Sequence, residues 1–142
     1  MAAQNTQTNS EIDAFLESWQ TDPASMRECF LEFYKEVTSA PDVELTFVAR
    51  PGVSFSLRPR HKAQKDRELF AMVDIIDDDP QDRWLSVCFY EDMITDPQNR
   101  GEVIPGGLAG SDGHCFDLYD KDPEYIAYIV SRLQEAAASA AH

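Results

Sequence analysis

At 142 residues, with 43% hydrophobic and 27% charged residues, the chain has the size and composition of one globular domain built around one core. Twenty-six Asp and Glu against twelve Lys and Arg give a net charge of −14, which repels phosphate backbones and anionic membrane surfaces and argues against direct nucleic-acid binding. No run of about 18 apolar residues offers a membrane span. The start MAAQNTQTNSEID lacks a secretory pattern, and Cys29, Cys88 and Cys115 contain no C-x-x-C pair. The expectation is a cytoplasmic protein with reduced thiols, no disulfide framework and no metal site.

Residues 1–9 are polar and read as a disordered tail, with a single α+β domain over 10–138 and a frayed end at 139–142. Ser10 resembles a helix cap, and Ile12, Phe15, Leu16 and Trp19 follow at the spacing of one helical face, to about Gln20. Asp22-Pro23 restarts a helix whose buried stripe is Met26, Phe30, Phe33 and Val37, ending near Pro41. From Val43 the period falls to two. Val43, Leu45 and Phe47, then a Pro51-Gly52 turn, then Val53, Phe55 and Leu57 predict a β-hairpin. Strands follow at about 69–76 and 84–90, joined by DDDPQD, with a shorter fifth around 114–118. Residues 91–113 hold five of the six glycines and two prolines and read as a long loop. Asp122-Pro123 then caps a last amphipathic helix carrying Ile126, Ile129, Val130 and Leu133.

Helices, then strands, then a helix predict an α+β fold, with an antiparallel sheet of four to five strands and the N-terminal and C-terminal helices on one face. Phe30, Phe33, Phe47, Phe55, Leu57, Val73, Val87 and Ile129 are the expected core. The alternation that turns Leu69, Ala71, Val73, Leu85, Val87 and Phe89 toward the helices leaves Phe70, Met72, Trp84 and Tyr90 on the opposite face, as an interaction surface needing cover. The stretches RPGVSFSLRP, KDRELFAMVDIIDDDP, RWLSVCFYEDMITDP and IPGGLAGSDGHCFD, in this helix-first layout, resemble an uncharacterised family of small acidic bacterial α+β proteins. That resemblance implies a bacterial cytoplasmic origin and no assigned activity, cofactor or site.

Half of the basic residues, Arg50, Arg58, Arg60, Lys62, Lys65 and Arg67, lie in one stretch of eighteen with a single acid, Asp66. Ser54, Ser56 and Arg58 share the strand face away from the core, with Arg60 continuing the row and His61 beside it, a set suited to carboxylate or phosphate. Asp112, His114, Cys115 and Asp117 are metal-binding types, but on a strand they alternate between faces and cannot all converge. PGGLAG lacks the residues of a phosphate loop, Asp77-Asp78-Asp79 lacks calcium-loop spacing, and no nucleophile motif is present. Tyr125, Tyr128 and Arg132 share a face of the last helix and suit ordinary packing. The expected function is a non-catalytic binding or protein-interaction domain, with self-association covering the second face. The alternative is a small-molecule enzyme or anionic-ligand-binding protein with a pocket between the sheet and the 91–113 loop.

Overall fold

In the computed structural model, which describes residues 2–142 and side chains from Asn5 onward, helix α1 spans Ala2–Ser18. The expected tail at 1–9 is therefore helical over its described part. Its anchor is polar. Asn5 donates from Nδ2 to the Val43 carbonyl (2.9 Å) and accepts from the Leu45 amide (3.0 Å), while Thr8 donates to the Leu45 carbonyl (3.1 Å). Ser10 lies inside the helix and donates to the Thr6 carbonyl instead of capping.

Helix α2 (Met26–Ser39) follows a turn in which the Asp22 carboxylate accepts from the Met26 (2.8 Å) and Arg27 (3.0 Å) amides. Asp22 thus accepts from the first helical amides as expected, but the helix starts at Met26, so Pro23 lies in the preceding turn and not in the first helical turn. Strands β1 (Val43–Arg50), β2 (Ser54–His61), β3 (Met72–Ile76), β4 (Trp84–Phe89), β5 (Glu102–Leu108) and β6 (Ser111–Leu118) form one antiparallel sheet in the order β1-β2-β3-β4-β6-β5, and α3 (Pro123–Ala140) closes the chain. Between β1 and β2, Val53 N–H bonds the Arg50 carbonyl with Gly52 at φ 84°, the positive φ that a Pro-Gly turn requires. α3 opens on Asp122, which accepts from the Tyr125 amide (3.2 Å), and ends on a buried Ala140, so its last turn is packed and not wholly frayed.

The sheet has one strand more than the expected four to five. The extra strand, β5, lies inside the segment predicted as loop. It pairs with β6 through Glu102–Ile104, slips, and rejoins at Leu108↔Ser111, so Pro105, Gly106 and Gly107 occupy an irregularity. Among the described residues no helix is long and apolar enough to cross a membrane.

Phe30, Phe33, Phe55, Leu57, Val73, Val87 and Ile129 are buried in the core between the sheet and the helices, with Phe47 partly buried against it. One assignment of faces is corrected. Phe70 belongs to this core, and Leu69 lies in a smaller cluster with Met72, Cys88, Leu108 and Cys115. The reason is phase: residues 69–71 precede β3, where the chain is irregular and period-two alternation does not extend.

Candidate functional site

The sheet face away from the core carries a polar row running straight across four strands, Ser56↔Asp74↔Ser86↔Asp117. Ser54 and Ser56 are buried on this face. Long side chains cover them: Arg50 donates to Ser54 Oγ (3.2 Å) and Arg58 Nε to Ser56 Oγ (3.0 Å). Both hydroxyls hold guanidinium groups in place and do not open to a ligand. Burial pushes the Asp74 carboxyl up, against the pull of the Ser56 hydroxyl and the charges of Arg58 and Arg50, and its Oδ1 is buried without a hydrogen-bond partner among the described residues.

Beside this row a depression of about 610 Å³ is lined by Thr46, Arg58, Arg60, Lys65, Arg67, Leu69 and Tyr90, with Asp66 and Glu68. The structure thus gathers four of the six clustered cations in one concavity. Two are already engaged. Arg60 meets Glu44 (3.3 Å) and the Gln64 carbonyl (2.8 Å), while Arg67 forks onto Asp92 (2.8 and 3.1 Å) with its guanidinium 3.9 Å from the Tyr90 ring centroid. Arg58 spends only its Nε, and Lys65 forms no ion pair among the described residues. His61 is not part of the set: it stands opposite Val43, on the row facing the helices, and its Nδ1 accepts from the Ala63 amide (3.0 Å).

A second depression, about 680 Å³, touches the 91–113 segment and is lined by Asp66, Arg67, Tyr90, Glu91, Asp92, Ser111 and Asp112. It sits where the pocket of the alternative reading was expected, but acids line it, so its field opposes an anion.

The expected interaction surface is dispersed. Phe70 is fully buried, Met72 is buried beside Cys88, and Tyr90 lies under Arg67. Trp84 alone presents an aromatic face, packed on Tyr119 with centroids 4.9 Å apart.

The Asp112–Asp117 stretch also disperses, each member to its own partner. Asp112 accepts from the Gly106 amide (3.3 Å), His114 Nε2 is 2.9 Å from Asp96 Oδ2, and Asp117 accepts from Ser86 (2.8 Å). Cys115 is bonded to Cys88, which corrects the expectation of reduced thiols. Among the described residues no three His, Cys, Asp or Glu side chains converge as metal ligands.

Asp96 is the residue sequence reasoning missed. Its side chain is 8% exposed and accepts from the Arg100 (3.0 Å) and Gly101 (2.9 Å) amides, from the Tyr128 hydroxyl, and bonds His114. Burial alone would raise its carboxyl; the bonds from Tyr128, Arg100, Gly101 and His114 outweigh it and hold it well below the usual range. Gly101 sits so close to the His114 ring that a Cβ would lie 2.6 Å from it. Tyr128 and Arg132 are thereby structural, the Arg132 guanidinium lying 4.5 Å from the Tyr128 ring centroid.

Compared with family models, with characterised proteins and with solved structures, the chain matches none.

Proposed function

We propose that this chain is a non-catalytic binding domain that takes a small anion, a carboxylate or a phosphate, in the depression bounded by β2, the 62–69 connector and Tyr90. One observation carries the reading: Arg58 enters that depression with one nitrogen fixed by buried Ser56 and its two Nη groups without hydrogen-bond partners among the described residues. A guanidinium held by its Nε is a pre-oriented fork for two oxygens. Thr46, opposite Arg58 in the β1–β2 register, adds a hydroxyl at the same wall, and Lys65 adds a mobile charge. In a protein of net charge −14, an anion is held only where the field is locally reversed. Arg60 and Arg67, already neutralised by Glu44 and Asp92, frame the cavity.

Thermal shift and calorimetric titration with inorganic phosphate and with succinate at low salt test this. Binding should weaken about tenfold or more in Arg58→Ala, the scale of a lost charged hydrogen bond. Lys62→Ala removes the same charge outside the depression and should change affinity little. Equal weakening by both variants, or no binding of either anion, overturns the reading.

A further inference from the structure

Cys88 and Cys115 stand directly opposite one another on β4 and β6, with Cα atoms 4.1 Å apart, and their sulfurs are bonded. The ladder joining the two strands runs unbroken from Leu85↔Leu118 to Phe89↔His114, so the backbone pairing is complete without the sulfur bridge. Among the described residues no helix side chain joins the cluster around the pair. Its cover is a handful of side chains, Leu69, Met72, Leu108 and Tyr90, separate from the main core. Leu108 arrives from the end of β5, where the register with β6 is interrupted, and Gly113 beside the Cys115 sulfur has no side chain to shield it. The bridge is overlaid on a finished ladder, and the small buried cluster over it is closed on one side by a hairpin end whose register is interrupted.

We infer that Cys88–Cys115 is a reversible thiol–disulfide exchange site, opened by a dithiol reductant and closed by the corresponding disulfide with the sheet intact in both states. Both cysteines are buried in the closed state, Cys115 at 6% and Cys88 at 3% exposure, so attack follows opening of the β5–β6 hairpin end over them; one thiolate of the dithiol then attacks the Cys115 sulfur, forming a mixed disulfide and expelling Cys88 as thiolate. The leaving thiolate takes a proton from solvent; Ser86 Oγ, 3.6 Å from the Cys88 sulfur, already donates its proton to Asp117. The second thiol of the reductant resolves the mixed disulfide and leaves as a cyclic disulfide, so two electrons and two protons pass from the dithiol to the cysteine pair. Cys29 takes no part. It is buried in the main core, on the other side of the sheet, and burial pushes its thiol up to about 11.

The experiment holds the folded protein in buffers of stepped ratios of reduced to oxidised dithiothreitol, traps free thiols on the still-folded protein with excess N-ethylmaleimide at neutral pH and locates the label by peptide mass. Cys88 and Cys115 should become labelled together as the ratio rises and become protected again when it is reversed, with the far-ultraviolet circular dichroism unchanged. Cys29, labelled only in denaturant, reports that the protein stayed folded. The inference is overturned if the pair resists excess dithiol until urea is added, if reduction collapses the dichroism, or if both thiols remain labelled in fully oxidised buffer.

Discussion

Two carboxylates, buried Asp74 on the open sheet face and half-buried Asp96 at the root of the β5 approach, are displaced in opposite directions. Asp74 is raised by burial, with one hydroxyl and two arginines pulling back and one oxygen left without a partner. Asp96 is lowered because two backbone amides, a phenol and an imidazole point at it and outweigh its burial. Burial pushes both upward; Asp74 is the more deeply buried and has few donors aimed at it, whereas the donors aimed at Asp96 reverse the sign. The contrast separates a structural network from a region with unspent capacity. Every oxygen of Asp96 is committed to holding residues 95–101 against α3, whereas around Asp74 the guanidinium of Arg58 retains free donors.

Removing Asp96 has the largest expected effect. Asp96→Ala strands the His114 ring and the Tyr128 hydroxyl and frees two amides. Losing one partner of a buried charged network costs on the order of 3–5 kcal/mol. Urea denaturation should show a loss of that size; a loss under about 1 kcal/mol would mean that the loop is held by Thr95–Glu135 and the Arg100–Tyr125 contact instead.

The acid limb of the stability profile sharpens it further. Asp96, with a folded value below its unfolded one, contributes stability that is complete above about pH 4 and lost as pH falls through the depressed value. Asp74 has the opposite sign: with its folded value raised, its contribution is complete below about pH 4 and lost as pH rises through the raised value. Asp96→Asn should therefore flatten the profile below pH 4, and Asp74→Asn should flatten the part just above it. Chemical denaturation at stepped pH reads both slopes. Identical profiles for the two variants would refute the assignment.

Much of the architecture was legible because it rests on local pattern. The stripe of α2, the hairpin of β1 and β2, and the Asp122 cap all follow from spacing and turn chemistry. What was missed depends on contacts distant in sequence. Asn5 and Thr8 read as tail residues because their function is to satisfy the outer edge of β1, some forty residues away, which no local period reports. β5 hid behind Pro105, Gly106 and Gly107, which mark its irregularity and read as loop. The cysteine pair required knowing that β4 and β6 are neighbours, although both positions carry strand signals. In the candidate site, the gathering of Arg58, Arg60, Lys65 and Arg67 was readable from charge clustering. The exclusion of His61 follows from strict alternation along β2, which places it with Phe55 and Leu57 on the core side. The Asp96 network left no signal beyond a lone acid before Pro97.

The smallest expected effect is the most discriminating for the open face. Asp74→Asn removes a buried charge while leaving an oxygen beside Ser56. If the carboxylate is costly because its burial is under-compensated, the asparagine should hold stability at pH 7 or raise it by up to about 1 kcal/mol, because the desolvation relieved outweighs the attraction lost to Arg50 and Arg58. Arg50 is exposed and Arg58 half-buried, so neither is left as an unpaired charge in a dry interior. The same variant leaves the Arg58–Ser56 bond in place, so the orientation of the guanidinium fork should persist and phosphate should bind at least as well as to the wild type, with one fewer negative charge nearby. Calorimetric titration beside denaturation measures both quantities on one sample. A stability loss above about 2 kcal/mol accompanied by weaker phosphate binding would show instead that Asp74 is the partner that positions Arg58, and that the open face is a closed ion-pair network like the one around Asp96.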